Sequence, residues 1–220
     1  MRFDVVMDTW RAIVPIRGLQ DAKSRFLDLP LPGATLAWAM FTDLLNSLNR
    51  AACIHEITVV TSINPEEFQE RFPGVACVQE PPGVGLNHAI GIAGAQQLPA
   101  STKGTMVFLG DLPCIRPDDI DHLSAVGIDQ PSFVPDAAGS GTTIWCAPKT
   151  YPVKTHFGRH SRAAHRASGG TELGNGFTAD PWPRLRRDVD TQVDLWDAHR
   201  IGLGPVTLAT VAPYFPVKED

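Results

Sequence analysis

The stretch TMVFLGDLP, residues 105–113, joins an apolar run to a glycine, an aspartate and a proline. Residues 105–109 are almost continuously apolar, which is typical of a strand buried on both faces of a mainly parallel sheet. Four other runs of this kind occur along the chain, at residues 10–16, 57–61, 75–78 and 142–147. Together, the five runs predict the strands of one sheet.

Helical patterns separate these runs. In residues 35–51, leucine and methionine recur at a spacing of three and four, which predicts an amphipathic helix. Pro65 followed by two glutamates predicts the start of another helix. Further helices are predicted at residues 86–98, 117–126, 162–168 and 193–201. Because strands and helices alternate, the prediction is an α/β fold with a single-domain, doubly wound, mainly parallel sheet and βαβ crossovers.

The composition limits the domain organisation and the partners. The chain has 220 residues, of which 43% are hydrophobic and 20% are charged, so it can bury a sizeable core and is not disordered. Its net charge of −5 provides no positive field for nucleic acid or for an anionic membrane. We predict one domain over residues 1–212 and a C-terminal tail at residues 213–220.

The cysteines and the N-terminus bear on the cellular compartment. The four cysteines form no CxxC pair, which disfavours a structural zinc site or a redox dithiol. The N-terminal MRFDVVMDTW contains two aspartates and no apolar stretch of the kind found in signal peptides. No run approaches the ~18 apolar residues of a membrane-spanning helix. We therefore expect a cytoplasmic protein with reduced cysteines.

A cationic segment follows the first predicted strand. Arg17, Lys23 and Arg25 lie within nine residues that also contain Gly18. Positive side chains and backbone N–H groups at this place suit a polyphosphate. The segment matches neither the Walker A pattern nor the GxGxxG pattern, because both need further glycines. A solvated basic loop is the alternative.

Three aspartates are candidate metal ligands. Asp111 directly follows a predicted buried strand, and Asp188 and Asp190 alternate in a segment that points both to one side if it is extended. Carboxylate oxygens are the ligands that Mg²⁺ prefers, and two neighbouring carboxylates repel each other unless a cation lies between them. The alternatives are a turn at Asp111 and a helix cap formed by Asp190 or Thr191.

Two later segments have the character of an anion site. Residues 133–143, FVPDAAGSGTT, combine glycines with hydroxyl groups, and residues 155–161 bring Gly158 and Ser161 among several cations. Ser161 is predicted to cap the helix at residues 162–168, whose N-terminal N–H groups could bind a phosphate or a carboxylate. A solvated helix face is the alternative.

Other catalytic patterns are missing. His156, His160 and His165 are close in sequence, but no HExxH pattern or cysteine partner accompanies them, which disfavours a transition-metal site. There is no G-x-S-x-G elbow from which a hydrolase triad could begin. The patterns that do occur favour phosphate chemistry with a hard metal ion.

These motifs occur in an order that resembles the guanylyltransferases of coenzyme F-420 biosynthesis (the CofC and FbiD proteins), relatives of the molybdenum-cofactor guanylyltransferase. The resemblance extends over about residues 10–205. It rests on the following segments: residues 13–25, 85–87, 110–113, 139–142, 156–161 and 188–191. No single segment is decisive, whereas the ordered set is specific.

The resemblance implies a nucleotide-diphospho-sugar-transferase-like fold and a defined reaction. Such enzymes move GMP from GTP onto the phosphate of a small acid and release pyrophosphate, which makes the activated precursor of the F-420 side chain. The acid is 2-phospho-L-lactate, phosphoenolpyruvate or 3-phospho-D-glycerate, depending on the member. Mg²⁺ or Mn²⁺ is the implied cofactor, and a downstream transferase is the implied recipient of the product. A homodimer remains open.

The resemblance also implies roles for individual residues. The metal ligands are Asp111 and Asp188, which are also catalytic, with Asp190 in support. The nucleotide-binding set is Arg17, Lys23 and Arg25 on the triphosphate and Asn87 on the nucleoside, with Lys23 also catalytic. The acceptor-binding set is Thr142, Gly158 and Ser161.

Two residues depart from the family's pattern. His88 follows Asn87, and Thr143 follows Thr142, where members of the family carry smaller or less polar groups. If both side chains face the acceptor, they add hydrogen-bonding capacity that a bare enol does not need. This hypothesis favours a hydroxylated acceptor such as 3-phospho-D-glycerate.

The candidate residues agree with the implied chemistry. An acceptor phosphate is already an anion at neutral pH and needs no general base, whereas a covalent intermediate would need a nucleophile with a paired base. Metal ions and fixed cations supply the electrostatic stabilisation. Two alternatives stay open: another nucleotidyltransferase of this fold (a molybdenum-cofactor guanylyltransferase or a cytidylyltransferase), and a non-catalytic nucleotide-binding protein. The GGxSxR-type loop that is usual in those other nucleotidyltransferases is absent from this sequence.

Overall fold

The computed structural model describes residues 9–16, 31–174 and 181–215, which form one sheet flanked by helices. The strands are β1 (Thr9–Ile16), β2 (Ile54–Thr61), β3 (Ala76–Gln79), β4 (Thr102–Phe108), β5 (Ser132–Pro135), β6 (Thr142–Pro148) and β7 (Thr171–Glu172). The helices are α1 (Gly33–Arg50), α2 (Pro65–Arg71), α3 (Leu86–Gly94), α4 (Pro117–Ala125), α5 (Ser161–Ala167), α6 (Gln192–Ile201) and α7 (Pro205–Val211), followed by a 3-10 turn at Ala212–Tyr214.

The sheet has the strand order β3-β2-β1-β4-β6-β5-β7. All neighbouring strands are parallel except β6, which is antiparallel to both β4 and β5. The prediction of a mainly parallel α/β sheet is therefore confirmed. Because β6 runs against its neighbours, its first residue, Thr142, lies at the edge where β4 and β5 end, and it pairs with Pro135.

Each of the five predicted strands is present, with bounds shifted by a few residues. Two strands were not predicted. β5 lies inside the stretch 133–143 that was interpreted as a glycine-opened loop, and its four residues are too few to show a strand pattern. β7 has only two residues.

The ends of several helices differ from the predictions. Ser161 is the first residue of α5 rather than its cap; the cap position belongs to His160 and carries no side-chain hydrogen bond. Thr191 caps α6 through a reciprocal pair with Asp194, so the capping alternative is correct for Thr191 and not for Asp190. α3 ends at Gly94, earlier than predicted, and α7 was not predicted. None of the helices in the described ranges has the length and apolar character needed to cross a membrane.

Both faces of the sheet are covered. Along β1, Trp10, Ala12 and Val14 pack against α1 on one face, whereas Ile13 packs with Ile90 of α3 on the other. This alternation follows from the period of two in a strand. α6 and α7 form a third apolar cluster against α1. In folds of this class, ligands bind at the edge of the sheet beyond the carboxyl ends of the parallel strands.

Candidate active site

A cleft of about 630 Å³ opens at this edge of the sheet. Its wall consists of three acidic side chains (Asp136, Asp188 and Asp190), of Leu109, of residues 140–142 and of residues 158–161. These segments are brought together by the end of β4, the end of β5, the start of β6 and the start of α5. The cleft therefore combines two of the three predicted aspartates, Asp188 and Asp190, with the anion-binding segments, whereas Asp111 is not among its wall residues.

The loop between β5 and β6 is organised by Asp136. Its nearly buried carboxylate accepts hydrogen bonds from the backbone N–H groups of Ser140 (2.9 Å) and Gly141 (2.7 Å). A Cβ atom at Gly141 would lie 2.5 Å from Oδ2 of Asp136, so only glycine fits there. Arg186 stabilises the loop by donating hydrogen bonds to the carbonyl oxygens of Pro135 and Asp136.

Asp136 is a site residue that the sequence reasoning missed. Asp136 lies four residues before Ser140 and five before Gly141, the residues whose N–H groups it binds. This spacing is the signal that could have found it, because aspartates of turns characteristically bind nearby N–H groups. The hydrogen bonds keep residues 140–142 in place at the cleft wall.

The carboxylates at the cleft are close to one another. The N–H group of Val189 donates to the carbonyl oxygen of Asp111 at 3.2 Å, which joins the segment 188–190 to the chain after β4. Val189 is buried, whereas Asp188 and Asp190 both line the cleft, as the predicted alternation requires. Burial raises the pKa of Asp188 to about 7, and repulsion from Asp111, Asp136 and Asp190 adds to the increase.

This donor set suits a hard divalent cation. All of the groups concerned are carboxylate oxygens, which Mg²⁺ and Mn²⁺ prefer. Within the described residues, no group of three or more His, Cys, Asp or Glu side chains could hold a metal ion. Mg²⁺ usually binds through one or two carboxylates and completes its shell with phosphate oxygens and water. Asp111 and Asp188 therefore fit a cation that is shared with a bound phosphate.

The acceptor-binding residues predicted from the resemblance meet in the same cleft. The side chains of Thr142 and Ser161 are nearly buried at its wall, and Gly158 lies beside them. Gly158 has a φ of 131°, a conformation that residues with a side chain rarely adopt. α5 is docked onto the β5–β6 loop, because the N–H group of Arg162 donates to the carbonyl oxygen of Ser140.

The structure does not bring His88 and Thr143 into the cleft. His88 is exposed on α3, and it is not part of the cleft wall. Thr143 is fully buried on the opposite face of β6 from Thr142, and its hydroxyl group donates to the carbonyl oxygen of Leu185 at 2.8 Å. Neither side chain therefore faces this cleft, and the preference for 3-phospho-D-glycerate stays a hypothesis.

Asn87 has a bracing role that the sequence reasoning did not foresee. Its Oδ1 accepts from the hydroxyl group of Thr155 (2.8 Å) and the N–H group of Phe157 (2.7 Å), and its Nδ2 donates to the carbonyl oxygen of Phe157 (2.9 Å). These bonds hold the segment that leads into Gly158. The contact between Asn87 and a nucleoside stays a prediction.

The predicted triphosphate-binding residues Arg17, Lys23 and Arg25 lie outside the described residues. β1 ends at Ile16, and the carbonyl oxygen of Pro15 lies 3.2 Å from the position that a Cβ atom at Gly110 would take. The end of β1 is therefore next to the chain that carries Asp111.

Comparison with known proteins identifies relatives of the whole chain. No family model matches it. A phosphoenolpyruvate guanylyltransferase from Salinispora arenicola is 35% identical over 215 residues, which cover 93% of this chain and 95% of that protein.

Solved structures share the fold. A protein from Desulfovibrio desulfuricans described as a nucleotide-diphospho-sugar transferase matches with a TM-score of 0.55 at 11% identity, over 87% of this chain and 95% of that one. A Mycobacterium tuberculosis protein crystallised with manganese matches with a TM-score of 0.53 at 18% identity, over 86% and 97%. Given the identity and coverage of the Salinispora relative, the chain belongs to the guanylyltransferase family that includes phosphoenolpyruvate guanylyltransferase.

Proposed function

We propose that this guanylyltransferase moves GMP from GTP onto the phosphate of phosphoenolpyruvate and releases pyrophosphate. The observation that carries the proposal is the single cleft in which Thr142 and Ser161 stand together with Asp188 and Asp190. One part of this wall suits an anionic acceptor and the other suits a cation. The name of the Salinispora relative supports the choice of acceptor.

The acceptor half of the site needs donors and no base. The hydroxyl groups of Thr142 and Ser161 and the backbone at Gly158 bind the phosphate and the carboxylate of the acid. Because the attacking phosphate oxygen is already ionised at neutral pH, binding and orientation are the main tasks of these groups. His88 and Thr143 are not part of this proposed acceptor site, since neither side chain lines the cleft.

The cation half of the site is formed by carboxylates. Asp111 and Asp188 would hold Mg²⁺ or Mn²⁺, and Asp190 supports them. When bound, the ion would neutralise negative charge on the phosphate oxygens and on the pyrophosphate leaving group. For the nucleotide, Arg17, Lys23 and Arg25 are proposed to bind the triphosphate and Asn87 the nucleoside.

A covalent enzyme intermediate on a buried cysteine is disfavoured by the described structure. Burial raises the pKa of the Cys53 and Cys114 thiols to about 12, and it raises the pKa of Cys146 still further. These thiols stay protonated at neutral pH, and only a thiolate is an effective nucleophile. Direct transfer between the two bound substrates is therefore proposed.

The product, a guanylylated phosphoacid, is an activated group that a second transferase can consume. The resemblance to the enzymes of coenzyme F-420 biosynthesis makes the F-420 side chain its proposed destination. This downstream step is part of the proposal.

The test is transfer of GMP by the purified protein. The protein is incubated with GTP, with Mg²⁺ or Mn²⁺, and with phosphoenolpyruvate, 3-phospho-D-glycerate or 2-phospho-L-lactate in separate reactions. We expect metal-dependent pyrophosphate release with phosphoenolpyruvate, and a product whose mass equals that of the acid plus a guanylyl group. A parallel reaction with CTP tests the cytidylyltransferase alternative.

The outcomes separate the candidate functions. Preference for 3-phospho-D-glycerate or 2-phospho-L-lactate would refute the proposed acceptor and leave guanylyl transfer in place. Transfer from CTP in preference to GTP would contradict the proposed donor. The absence of pyrophosphate release with every acid would favour a non-catalytic nucleotide-binding protein.

A further inference from the structure

His165 lies directly behind the acceptor side of the cleft. The side chain is fully buried, and its ring stacks on that of Trp145 with 4.6 Å between centroids. Phe157 packs edge-on against the same ring. Aromatic contacts on two sides fix the plane of the imidazole, so its two nitrogen atoms have defined directions.

Both nitrogen atoms of His165 are hydrogen-bonded. Nε2 lies 2.8 Å from the backbone nitrogen of His156, and Nδ1 lies 2.9 Å from the hydroxyl oxygen of Thr142. A backbone N–H group can only donate, so Nε2 must present its lone pair. The proton of the neutral ring is then on Nδ1, and Nδ1–H donates to the hydroxyl oxygen of Thr142.

This tautomer determines the direction of the hydrogen bond between His165 and the Thr142 hydroxyl group. Its hydroxyl oxygen accepts from His165, and no protein acceptor among the described residues takes its hydrogen. Because Thr142 lines the cleft, that hydrogen can be donated to a bound ligand. The neighbouring Thr143 has the opposite arrangement, since its hydrogen is donated to the carbonyl oxygen of Leu185.

We propose that His165 is a positioning residue that holds the Thr142 hydroxyl group as a hydrogen-bond donor to an anionic oxygen of the acceptor. Through the N–H group of His156, the same ring also fixes the segment that leads to Gly158. His165 thereby couples two parts of the acceptor wall without contacting the acceptor. This inference rests on the proposed function, because that function assigns the acceptor to this part of the cleft.

A charge on the ring would work against this role. Burial, with a smaller contribution from repulsion by His156, lowers the pKa of His165 to about 4, so the ring is neutral at physiological pH. A neutral ring with a protonated Nδ1 can accept at one nitrogen and donate at the other, as the two contacts require.

Two amide variants separate the two hydrogen bonds of the ring. In His165→Gln, the side-chain oxygen can reach the place of Nε2 and accept from His156, but the donor to Thr142 is lost. In His165→Asn, the shorter amide can still donate to Thr142 from the place of Nδ1, whereas the bond to His156 is lost. Val211→Ala, in the apolar cluster of α7, is a control for loss of stability at a distance from the cleft.

The measurement is calorimetric binding of phosphoenolpyruvate, and separately of GTP, to each variant. We expect His165→Gln and Thr142→Val each to weaken phosphoenolpyruvate binding about tenfold, as for a lost bond to a charged group. The double variant should be no weaker than Thr142→Val, because both changes remove the same interaction. We expect His165→Asn, which keeps the donor to Thr142 and loses only the bond to His156, to weaken binding of the acid by less than His165→Gln does. We expect Val211→Ala to bind the acid nearly as the unaltered protein does, and GTP binding to be unchanged throughout.

A second measurement needs no variant. Nitrogen-15 NMR of the imidazole distinguishes the two neutral tautomers, and we expect the resonance of His165 Nδ1 to be that of the protonated nitrogen. A proton on Nε2 would overturn the proposal. It would also be overturned by additive effects in the double variant, by an equal loss of GTP binding, or by failure of the unaltered protein to bind the acid.

These outcomes are separate from those for the proposed function. If the unaltered protein binds phosphoenolpyruvate with the expected variant pattern but transfers no GMP to it, the proposed function fails and the role of His165 stands. If it transfers GMP and His165→Gln binds the acid normally, the role of His165 fails and the proposed function stands.

Discussion

At the scale of the residue, two neighbouring threonines illustrate what a sequence encodes about a site. Thr142 and Thr143 follow each other in a strand, so only one of them can face the cleft. Because side chains alternate between the two faces of a strand, the prediction that both Thr142 and Thr143 bind the acceptor could have been excluded from the sequence. In contrast, the position of Asp136 before a glycine-rich loop indicates that it binds backbone N–H groups, whereas the choice of Ser140 and Gly141 depends on how the loop closes.

The first prediction concerns the charge of Asp188. We expect Asp188→Asn to lower GMP transfer about a hundredfold or more, because a proposed ligand of the cation is lost. The metal-free variant should unfold at the same temperature as the unaltered protein or at a higher one, since repulsion from Asp111, Asp136 and Asp190 is relieved. Pyrophosphate release across a Mg²⁺ titration and thermal unfolding without metal provide the measurements.

Asp129→Asn is the matched control, because Asp129 is exposed and outside the cleft wall. Asp129→Asn should leave both GMP transfer and the unfolding temperature without metal unchanged. Retained transfer by Asp188→Asn would contradict the assigned role of this carboxylate.

The second prediction concerns Gly141. In Gly141→Ala, the new methyl group would meet Oδ2 of Asp136 at 2.5 Å, so the loop must shift. We expect the free energy of unfolding to fall by about 1–3 kcal/mol, as for overpacking, and the KM for the acceptor to rise more than that for GTP. Denaturant unfolding and steady-state kinetics measure the two effects.

Gly91→Ala in α3 serves as the control for this substitution. The nearest atom to its new methyl group is 3.7 Å away, an ordinary contact, and alanine is the better helix former. Its stability should equal or exceed that of the unaltered protein. Equal behaviour of the two alanine variants would disprove the steric argument.

At the scale of the element, apolar runs predicted strands and could not predict their direction. A strand buried on both faces has the same continuous apolar run whether it is parallel or antiparallel. The antiparallel direction of β6 therefore cannot be predicted from residues 142–147. The short elements β5 and α7 were missed because their patterns are too brief to be distinguished from loops. The long helix α1, with its regular apolar face, was predicted almost completely.

The third prediction concerns the junction of α1 and α7. Asp43 of α1 is buried, and its carboxylate accepts from the N–H groups of Val206 (3.0 Å) and Thr207 (2.7 Å) in the first turn of α7. We expect Asp43→Ala to lower the free energy of unfolding by about 2 kcal/mol, because two bonds to a charged acceptor are lost at a helix N-terminus.

Urea unfolding measures this loss. Asp197→Ala is the control, because the ion pair that Asp197 forms with Arg187 in the described part of the chain is long and partly exposed, and such pairs contribute little. A cost for Asp43→Ala no greater than that for Asp197→Ala would refute the capping role. The KM for phosphoenolpyruvate should stay the same in both variants, since neither residue is part of the cleft wall.

At the scale of the whole molecule, the fold class and the meeting of distant segments were predictable because the ends of parallel strands share one edge. Asp111 and Asp188, 77 positions apart in the sequence, meet there through the bond from Val189 to Asp111. The positions of the cationic residues after β1 are a prediction that falls outside the described chain. Side-chain partners such as that of His165 emerge only when α5 docks against β6.

The fourth prediction concerns stability in acid. His165 has a pKa of about 4 in the folded protein, against 6.5 for an ordinary histidine. Below pH 6.5 the unfolded chain therefore binds a proton that the folded chain does not bind until about pH 4. Stability should fall as the pH decreases through this range, by on the order of 3 kcal/mol from this residue.

Urea unfolding between pH 7 and pH 4 tests this by comparing the unaltered protein with His165→Asn. The difference in stability between the two should shrink as the pH falls. His122→Asn is the control for the same substitution at an exposed histidine. Parallel pH profiles for His165→Asn and the unaltered protein would show that the ring is not buried in its neutral form.

The reversal of β6 places several residues of the cleft wall on a single β5–β6 hairpin. Asp136, Ser140, Gly141 and Thr142 all belong to it, whereas the proposed ligands of the cation come from other parts of the chain. Under the proposed function, changes in the length or composition of this one turn would alter which acid is accepted, while the proposed cation ligands Asp111, Asp188 and Asp190 lie on other segments and are retained. Evolution, or grafting of this hairpin between relatives, would then change the acceptor acid while the transfer of GMP from GTP is kept.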